Sequence, residues 1–201
     1  QDLTDLYLNK KLHRDGSNST LSICWIDERT NQISIQSIGD SCCFYFIKEP
    51  NNDYKLKYLS SINYQDSFFG NPSLVNWNEE IQSQLTKAHF KFEESFVIIM
   101  ASDSLSKWIL CVIYNLQRDF FTSGNFSESF LGSLTGERFQ KLQSWIVSKN
   151  NFSTVEELIF HLSEMAIDEH IFEKSMRLRL ENDEIEIDDY SIIFIESHVS
   201  K

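Results

Sequence analysis

The stretch FVIIMASDSLSKWIL, residues 96–110, joins two apolar segments through a short polar link that contains one acid, Asp103. The unbroken apolar run at 96–101 is typical of a strand that is buried on both faces. The segment from Leu105 to Gln117 is apolar nearly all round, which predicts a buried helix. Asp103 therefore lies between a buried strand and a buried helix, where a sheet presents side chains to a cleft.

Two hairpins are predicted on the N-terminal side of this stretch. STLSICWID (19–27) and QISIQSIGD (32–40) read as strands around the turn ERTN. CCFYFI (42–47) and YKLKYL (54–59) read as a second pair, joined by the turn KEPNND. Near the other end of the chain, SIIFIE (191–196) is a second continuous apolar run, and we expect another strand buried on both faces.

Helices are predicted before and between these strands. GERFQKLQSWIVSK (136–149) has an apolar stripe at helical spacing, and residues 2–14 show a similar pattern. STVEELIFHLSEMAIDEH (153–170) also has one, and Ser153 with a Glu three residues later predicts a capping box at its start. The acidic stretch ENDEIEIDD (181–189) predicts a solvated hairpin that ends in a strand.

The order of these elements indicates the fold class. Hairpins come first, a helical block follows the buried strand at 96–101, and the last strand returns to the sheet. This order predicts an α+β fold in which antiparallel strands are covered by helices. The chain has 201 residues, which suits one domain with a sizeable core, and we assign residues 1–201 to a single domain.

Charge, hydrophobicity and cysteine content disfavour several classes of protein. The formal net charge of -12 disfavours a nucleic-acid or anionic-membrane binder, because either partner would be repelled at long range. No apolar run approaches the length of a membrane span. Cys24, Cys42, Cys43 and Cys111 form no CxxC pair, so we expect reduced, mostly buried thiols rather than zinc ligands or disulfides. These features together predict a cytoplasmic protein.

Three acids stand at predicted strand ends. Asp40 follows SIQSIG, Asp103 follows FVIIMAS, and Asp188 follows EIEI just before YSIIFI. Carboxylates that converge without a basic partner repel one another, so they persist where a cation offsets the repulsion. Hard oxygen ligands of this kind suit Mg²⁺ or Mn²⁺. The alternative is that each Asp is a common turn residue, and periodicity alone does not show that the three converge.

The order of four motifs resembles the metal-dependent serine/threonine phosphatases of the 2C type. GSNSTLSICWID (16–27) is similar to that family's Gly-Ser-Thr strand, with an insertion, and ISIQSIGDSCCFYF (33–46) to its Gly-Asp-Ser strand end. FVIIMASDSL (96–105) and DDYSIIFIE (188–196) are similar to its Ser-Asp-Gly strand end and its final Asp-Asn-x-Thr strand. A Trp-containing helix after the second acid resembles a bacterial subgroup more particularly. The resemblance runs from about residue 16 to 196.

The resemblance implies a fold, a cofactor and a reaction. The fold would be a pair of packed antiparallel sheets flanked by helices, with a Mg²⁺ or Mn²⁺ centre at one edge of the sandwich. Asp103 and Asp188 would be ligands of the main centre, and Asp40 would serve an additional, weaker site. A metal-activated water would attack the phosphorus of a phosphoserine or phosphothreonine, with no catalytic residue beyond the metal ligands. The partner would be a phosphorylated protein, the substrate of a cognate Ser/Thr kinase.

Three departures from the family pattern leave a second function open. Ser104 replaces the Gly after the second acid, and Asp189 replaces the Asn after the third. The family's N-terminal Asp-Gly metal-binding element is not found in its expected place, and no early basic residue is present to hold phosphate. We expect either that this element precedes Gln1 in the encoded protein or that part of the metal centre has been lost. In the second case, the chain would be a catalytically impaired pseudophosphatase that acts as a binding or regulatory module.

Overall fold

A computed structural model of the chain describes residues 18–39, 41–50, 53–60, 75–76, 86–92, 94–124, 126 and 128–197. The strands are β1 (Asn18–Ser19), β2 (Leu21–Asp27), β3 (Gln32–Ile38), β4 (Cys42–Lys48), β5 (Tyr54–Leu59), β6 (Val75–Asn76), β7 (Thr86–Lys91), β8 (Phe96–Ala101) and β9 (Ile192–Ser197). The helices are α1 (Asp103–Leu116), α2 (Arg118–Ser123), α3 (Glu128–Thr135), α4 (Glu137–Lys149), α5 (Val155–Ile167) and α6 (Glu169–Glu181). The predicted helix at 2–14 lies outside the described residues.

The larger of the described sheets has four described strands in the order β5-β4-β8-β9, and every neighbouring pair is antiparallel. The apolar run at 96–101 forms β8, which lies between β4 and β9, so its prediction as an interior strand is confirmed. The matching prediction for 191–196 is wrong, because β9 is the edge strand of this sheet among the described strands. Ile193 on β9 is 54% exposed, which an apolar run alone does not reveal.

A three-stranded antiparallel sheet has the order β2-β3-β7, and β1 pairs with β6 in a short separate ribbon. The predicted hairpin of β2 and β3 is confirmed. The sequence analysis did not identify β7, TKAHFK, because polar residues alternate there with half-buried ones and no strong apolar pattern marks the strand. On β2, an edge strand among the strands that the structure describes, the apolar side chains of Leu21, Ile23 and Trp25 remain exposed.

Two hydrophobic cores hold the layers together. The first lies between the two sheets and includes Ile33 and Ile35 of β3 and Ile98 of β8. The second lies between the four-stranded sheet and the helices, and Trp108 and Ile109 of α1 are at its centre with no exposed surface. The predicted α+β class, with two antiparallel sheets flanked by helices, is therefore confirmed.

The predicted helices that fall within the described residues form, with one shift at a cap. Helix α5 begins after Thr154, whose side chain accepts a hydrogen bond from the Glu157 backbone N–H, while the Glu157 carboxylate accepts one from Ser153 N–H. The capping pair is therefore Thr154 with Glu157, one residue later than predicted. The prediction for 181–189 is also wrong, because the segment after α6 forms turns and bends without a strand and its Glu184 is buried.

The thiols are largely enclosed. Cys42, Cys43 and Cys111 are buried and Cys24 is half-buried, and within the described residues none of them is joined in a disulfide. Burial raises the pKa of the Cys111 and Cys43 thiols well above their ordinary value, which keeps both groups protonated and unreactive. None of the helices in the described ranges has the length and apolar character needed to cross a membrane.

Candidate metal centre

Three strand ends meet at one edge of the four-stranded sheet. Cys42, which begins β4, pairs with Ala101, which ends β8, and Ala101 in turn pairs with Ile192, which begins β9. Asp103 follows the end of β8 by two residues, and Asp188 precedes the start of β9 by four. The pairing register therefore brings to one edge the two chain segments that carry these acids.

A pair of hydrogen bonds joins the segments just beyond the ladder. Ser102 donates its backbone N–H to the Ser191 carbonyl oxygen at 3.1 Å, and Ser191 donates its N–H to Ser102 Oγ at 3.1 Å. These bonds hold the backbone directly before Asp103 and shortly after Asp188. The exposed Asp188 carboxylate accepts a hydrogen bond from the Asp189 backbone N–H at 2.8 Å, which orients its Oδ1 oxygen.

Asp103 is the first residue of α1, and it has a basic partner. Its Oδ2 oxygen lies 2.8 Å from the Nζ of Lys107, one helical turn later, and the side chains are 24% and 18% exposed. The helix N-terminus also favours a negative charge at this position. The expectation of carboxylates without a basic partner is therefore wrong for Asp103, since Lys107 offsets part of its charge.

Asp40 lies outside the described residues, but the residues on either side of it are described. Gly39 has φ of 94°, and a Cβ on it would clash with the side chain of Thr20, so this position favours glycine on two grounds. Thr20 Oγ1 lies 2.9 Å from Ser41 Oγ, and Ser22 Oγ donates to the Ser41 carbonyl oxygen at 2.9 Å. These contacts fix Gly39 and Ser41 against the start of β2.

A chain of hydroxyl groups extends from this turn into the space between the sheets. Ser22 Oγ lies 3.1 Å from Ser37 Oγ, and Ser37 Oγ donates to Ser60 Oγ at 2.9 Å. Ser60 Oγ also accepts the Cys43 backbone N–H at 2.8 Å. Ser37 and Ser60 have no exposed surface, so these bonds satisfy polar groups that would otherwise be costly to bury. The sequence analysis did not identify this network, since scattered serines have no distinctive spacing.

The carboxylate oxygens at this edge are of the kind that a hard divalent cation prefers as ligands. Mg²⁺ commonly binds through one or two carboxylates and keeps several waters, and Asp103 and Asp188 supply such oxygens. Among the residues that the structure describes, no group of three or more His, Cys, Asp or Glu side chains could hold a metal ion. A centre built on Asp103 and Asp188 would thus take its remaining ligands from water or from Asp40, whose role stays a prediction.

The segment that leads to Asp188 is anchored by a buried carboxylate. Glu184 is 4% exposed, and its Oε2 accepts hydrogen bonds from Trp108 Nε1 at 2.8 Å and Asn150 Nδ2 at 2.7 Å. Its Oε1 accepts a third from Asn182 Nδ2 at 3.1 Å. Trp108 thereby connects the segment before β9, which carries Asp188, to helix α1, which begins with Asp103.

Arg179 and His161 complete the polar cluster around Trp108. The Arg179 guanidinium lies 3.9 Å from the centre of the Trp108 ring, and its Nη2 lies 2.8 Å from His161 Nε2. Because a guanidinium has only donors, His161 accepts this bond as a neutral ring. Burial and then the Arg179 charge lower the pKa of His161 to about 4. Burial also lowers the pKa of Arg179 to about 10, against the opposing effect of Glu184.

A groove of about 610 Å³ opens next to the Asp103–Lys107 pair. Lys107 lies on one wall, while the exposed Asp183 and Glu186 lie in the segment that leads to Asp188. Its lining residues are Ser104, Lys107, Leu142, Leu180 and residues 183–187. The groove therefore borders residues next to the two acids, Ser104 and Ile187, while neither Asp103 nor Asp188 is among its described lining residues.

Comparisons with known proteins give little beyond this geometry. No family profile matches the chain, and no curated protein matches it. Among solved structures, the chain is similar to the phosphatase domain of the cell fate determinant SpoIIE from Bacillus subtilis in a Mn-presoaked form, with 12% identity and a TM-score of 0.39 over 100% of this chain and 75% of that chain. What the site can do follows from the residues described above.

Proposed function

We propose that the chain is a metal-dependent protein serine/threonine phosphatase that acts on phosphoserine or phosphothreonine in a protein substrate. The observation that carries this proposal is the pairing register of β4, β8 and β9. It brings the segments that carry Asp103 and Asp188 to one sheet edge, beside a groove of about 610 Å³. The order of the four sequence motifs supports the same reaction.

Each group at the edge has a proposed role. Asp103 and Asp188, with Asp40, would hold Mg²⁺ or Mn²⁺. When bound, the cation would make a water more acidic and neutralise charge on the transferring phosphoryl group. The hydrogen bonds between Ser102 and Ser191 keep the two ligand-bearing segments in register, and the groove admits the chain that carries the phosphorylated residue.

The experiment is release of phosphate from a phosphothreonine peptide in Mn²⁺, with and without a chelator. Asp103→Asn removes one charge and keeps the side-chain size, so turnover should fall to background. Asp119→Asn is the matched control, because Asp119 is also an acid in the first turn of a helix but is exposed and takes no part in the proposed site. Turnover that survives both the chelator and Asp103→Asn would overturn the proposal.

The second candidate function is a pseudophosphatase that binds a phosphorylated protein without hydrolysing it. The ion pair between Lys107 and Asp103 favours this function, because a lysine already offsets the charge that a metal would neutralise. A phosphopeptide that binds the chain with no turnover at saturating Mn²⁺ would favour this candidate over the enzyme.

A further inference from the structure

We propose that Lys107 competes with the divalent cation for Asp103 and so sets the affinity of the metal centre. This inference rests on the proposed cation site and adds a residue that controls its occupancy. A divalent ion needs a carboxylate oxygen at roughly 2.0–2.6 Å. Lys107 Nζ lies 2.8 Å from Asp103 Oδ2, so an ammonium group already holds one of the two oxygens on which that ion would depend.

The enclosure of this ion pair distinguishes it from an ordinary surface pair on a helix. Lys141 and Glu137 of α4 have the same i,i+4 spacing and a similar separation of 2.7 Å, but their side chains are 76% and 82% exposed. Lys107 and Asp103 are 18% and 24% exposed. Water screens the enclosed charges less. The Lys107 ammonium should therefore repel a cation at Asp103 more strongly than the Lys141 ammonium would repel one at Glu137.

The groove gives Lys107 a place to move when a cation binds. Its side chain lines the groove of about 610 Å³, and the exposed Asp183 and Glu186 line the same space. A lysine has a flexible four-carbon stem, so its ammonium can leave Asp103 without a change in the helix. The cation and the ammonium are then alternatives at one carboxylate, and removing the ammonium strengthens cation binding.

The test is a titration of the full 201-residue chain with Mn²⁺, in which the free ion is followed by electron paramagnetic resonance. Lys107→Met keeps the length and removes the charge, so the Mn²⁺ dissociation constant should fall at least about fivefold, the lower range of coupling between two sites. Lys107→Arg keeps a cation and should bind Mn²⁺ as the unmodified chain does. Lys141→Met, the matched control, should leave the affinity unchanged.

The outcomes separate the two proposals. Equal Mn²⁺ affinity in the unmodified chain and in Lys107→Met overturns the role of Lys107 and leaves the metal centre in place. Absence of Mn²⁺ binding in every variant overturns the metal centre and the role of Lys107 with it. Thermal melts show whether each variant is folded, and Lys107→Gln provides the same test if the Met variant is not.

Discussion

Two neighbouring residues of α1, Lys107 and Trp108, belong to polar clusters of opposite kinds. Lys107 pairs with Asp103 beside an open groove, and both side chains keep part of their surface in water. Trp108 donates to Glu184, which is 4% exposed and accepts three hydrogen bonds. The difference predicts unequal roles in stability: the buried, fully bonded carboxylate should stabilise the fold, and the partly exposed one that pairs with a lysine should contribute much less.

The largest loss of stability should come from Glu184→Leu. This change leaves Trp108 Nε1 without its acceptor, leaves Asn150 Nδ2 with only the Ile146 carbonyl oxygen, and takes the nearby negative charge away from Arg179. We expect the free energy of unfolding to fall by about 3 kcal/mol, as for breaking a buried charged network. Urea denaturation measures it. A loss below about 1 kcal/mol would remove the distinction between the two clusters.

Trp108→Phe should have a smaller effect, since an aromatic ring still fills most of the buried space but the bond to Glu184 is lost. We expect a loss of about 2 kcal/mol, the cost of leaving a buried charged acceptor with one bond fewer. Trp145→Phe is the matched control, because Trp145 also donates its Nε1, to the Asn182 carbonyl oxygen, but is 43% exposed. Its loss in the same urea experiment should be less than half as large.

His161 should make the buried cluster sensitive to acid. Its pKa is about 4 in the folded protein and 6.5 ordinarily, so between these values the unfolded chain binds the proton more tightly. The stability that depends on neutral His161 is therefore fully present above pH 6.5, and it declines as the pH falls towards 4. His161→Gln can still accept the bond from Arg179, and its free energy of unfolding should change less between pH 7 and pH 5. An unchanged pH dependence would show that His161 is not held neutral.

Asp103→Asn should have the smallest effect on stability. The ion pair with Lys107 is partly exposed, and its loss together with the weaker interaction at the helix N-terminus should cost less than about 1 kcal/mol. Isothermal calorimetry should nevertheless show loss of Mn²⁺ binding. A large destabilisation would place Asp103 with Glu184 among the residues that hold the fold.

The fold class, the two hairpins and helices α1, α4 and α5 could be predicted from the sequence, because these elements have clear apolar periods, whereas strand β7 and helices α2, α3 and α6 were not identified. The position of the candidate site could be predicted less completely. The sequence predicts an i,i+4 ion pair between Asp103 and Lys107 only if the helix begins at Asp103. The apolar pattern instead predicted that the helix begins at Leu105. The burial of Glu184 could not be predicted, because its partners Trp108 and Asn150 come from distant parts of the chain and ENDEIEIDD is acidic throughout.

The hydrogen bonds between Ser102 and Ser191 have a consequence for how the site is acquired during folding. They join two segments separated in the chain by the whole block from α1 to α6. The edge that we propose to bind metal therefore cannot form on a partly folded chain that has only its hairpins, because β9 must first close a long loop to reach β8. Assembly of the site should coincide with the slowest step of folding, so a chain that binds Mn²⁺ through both acids has already docked its last described strand.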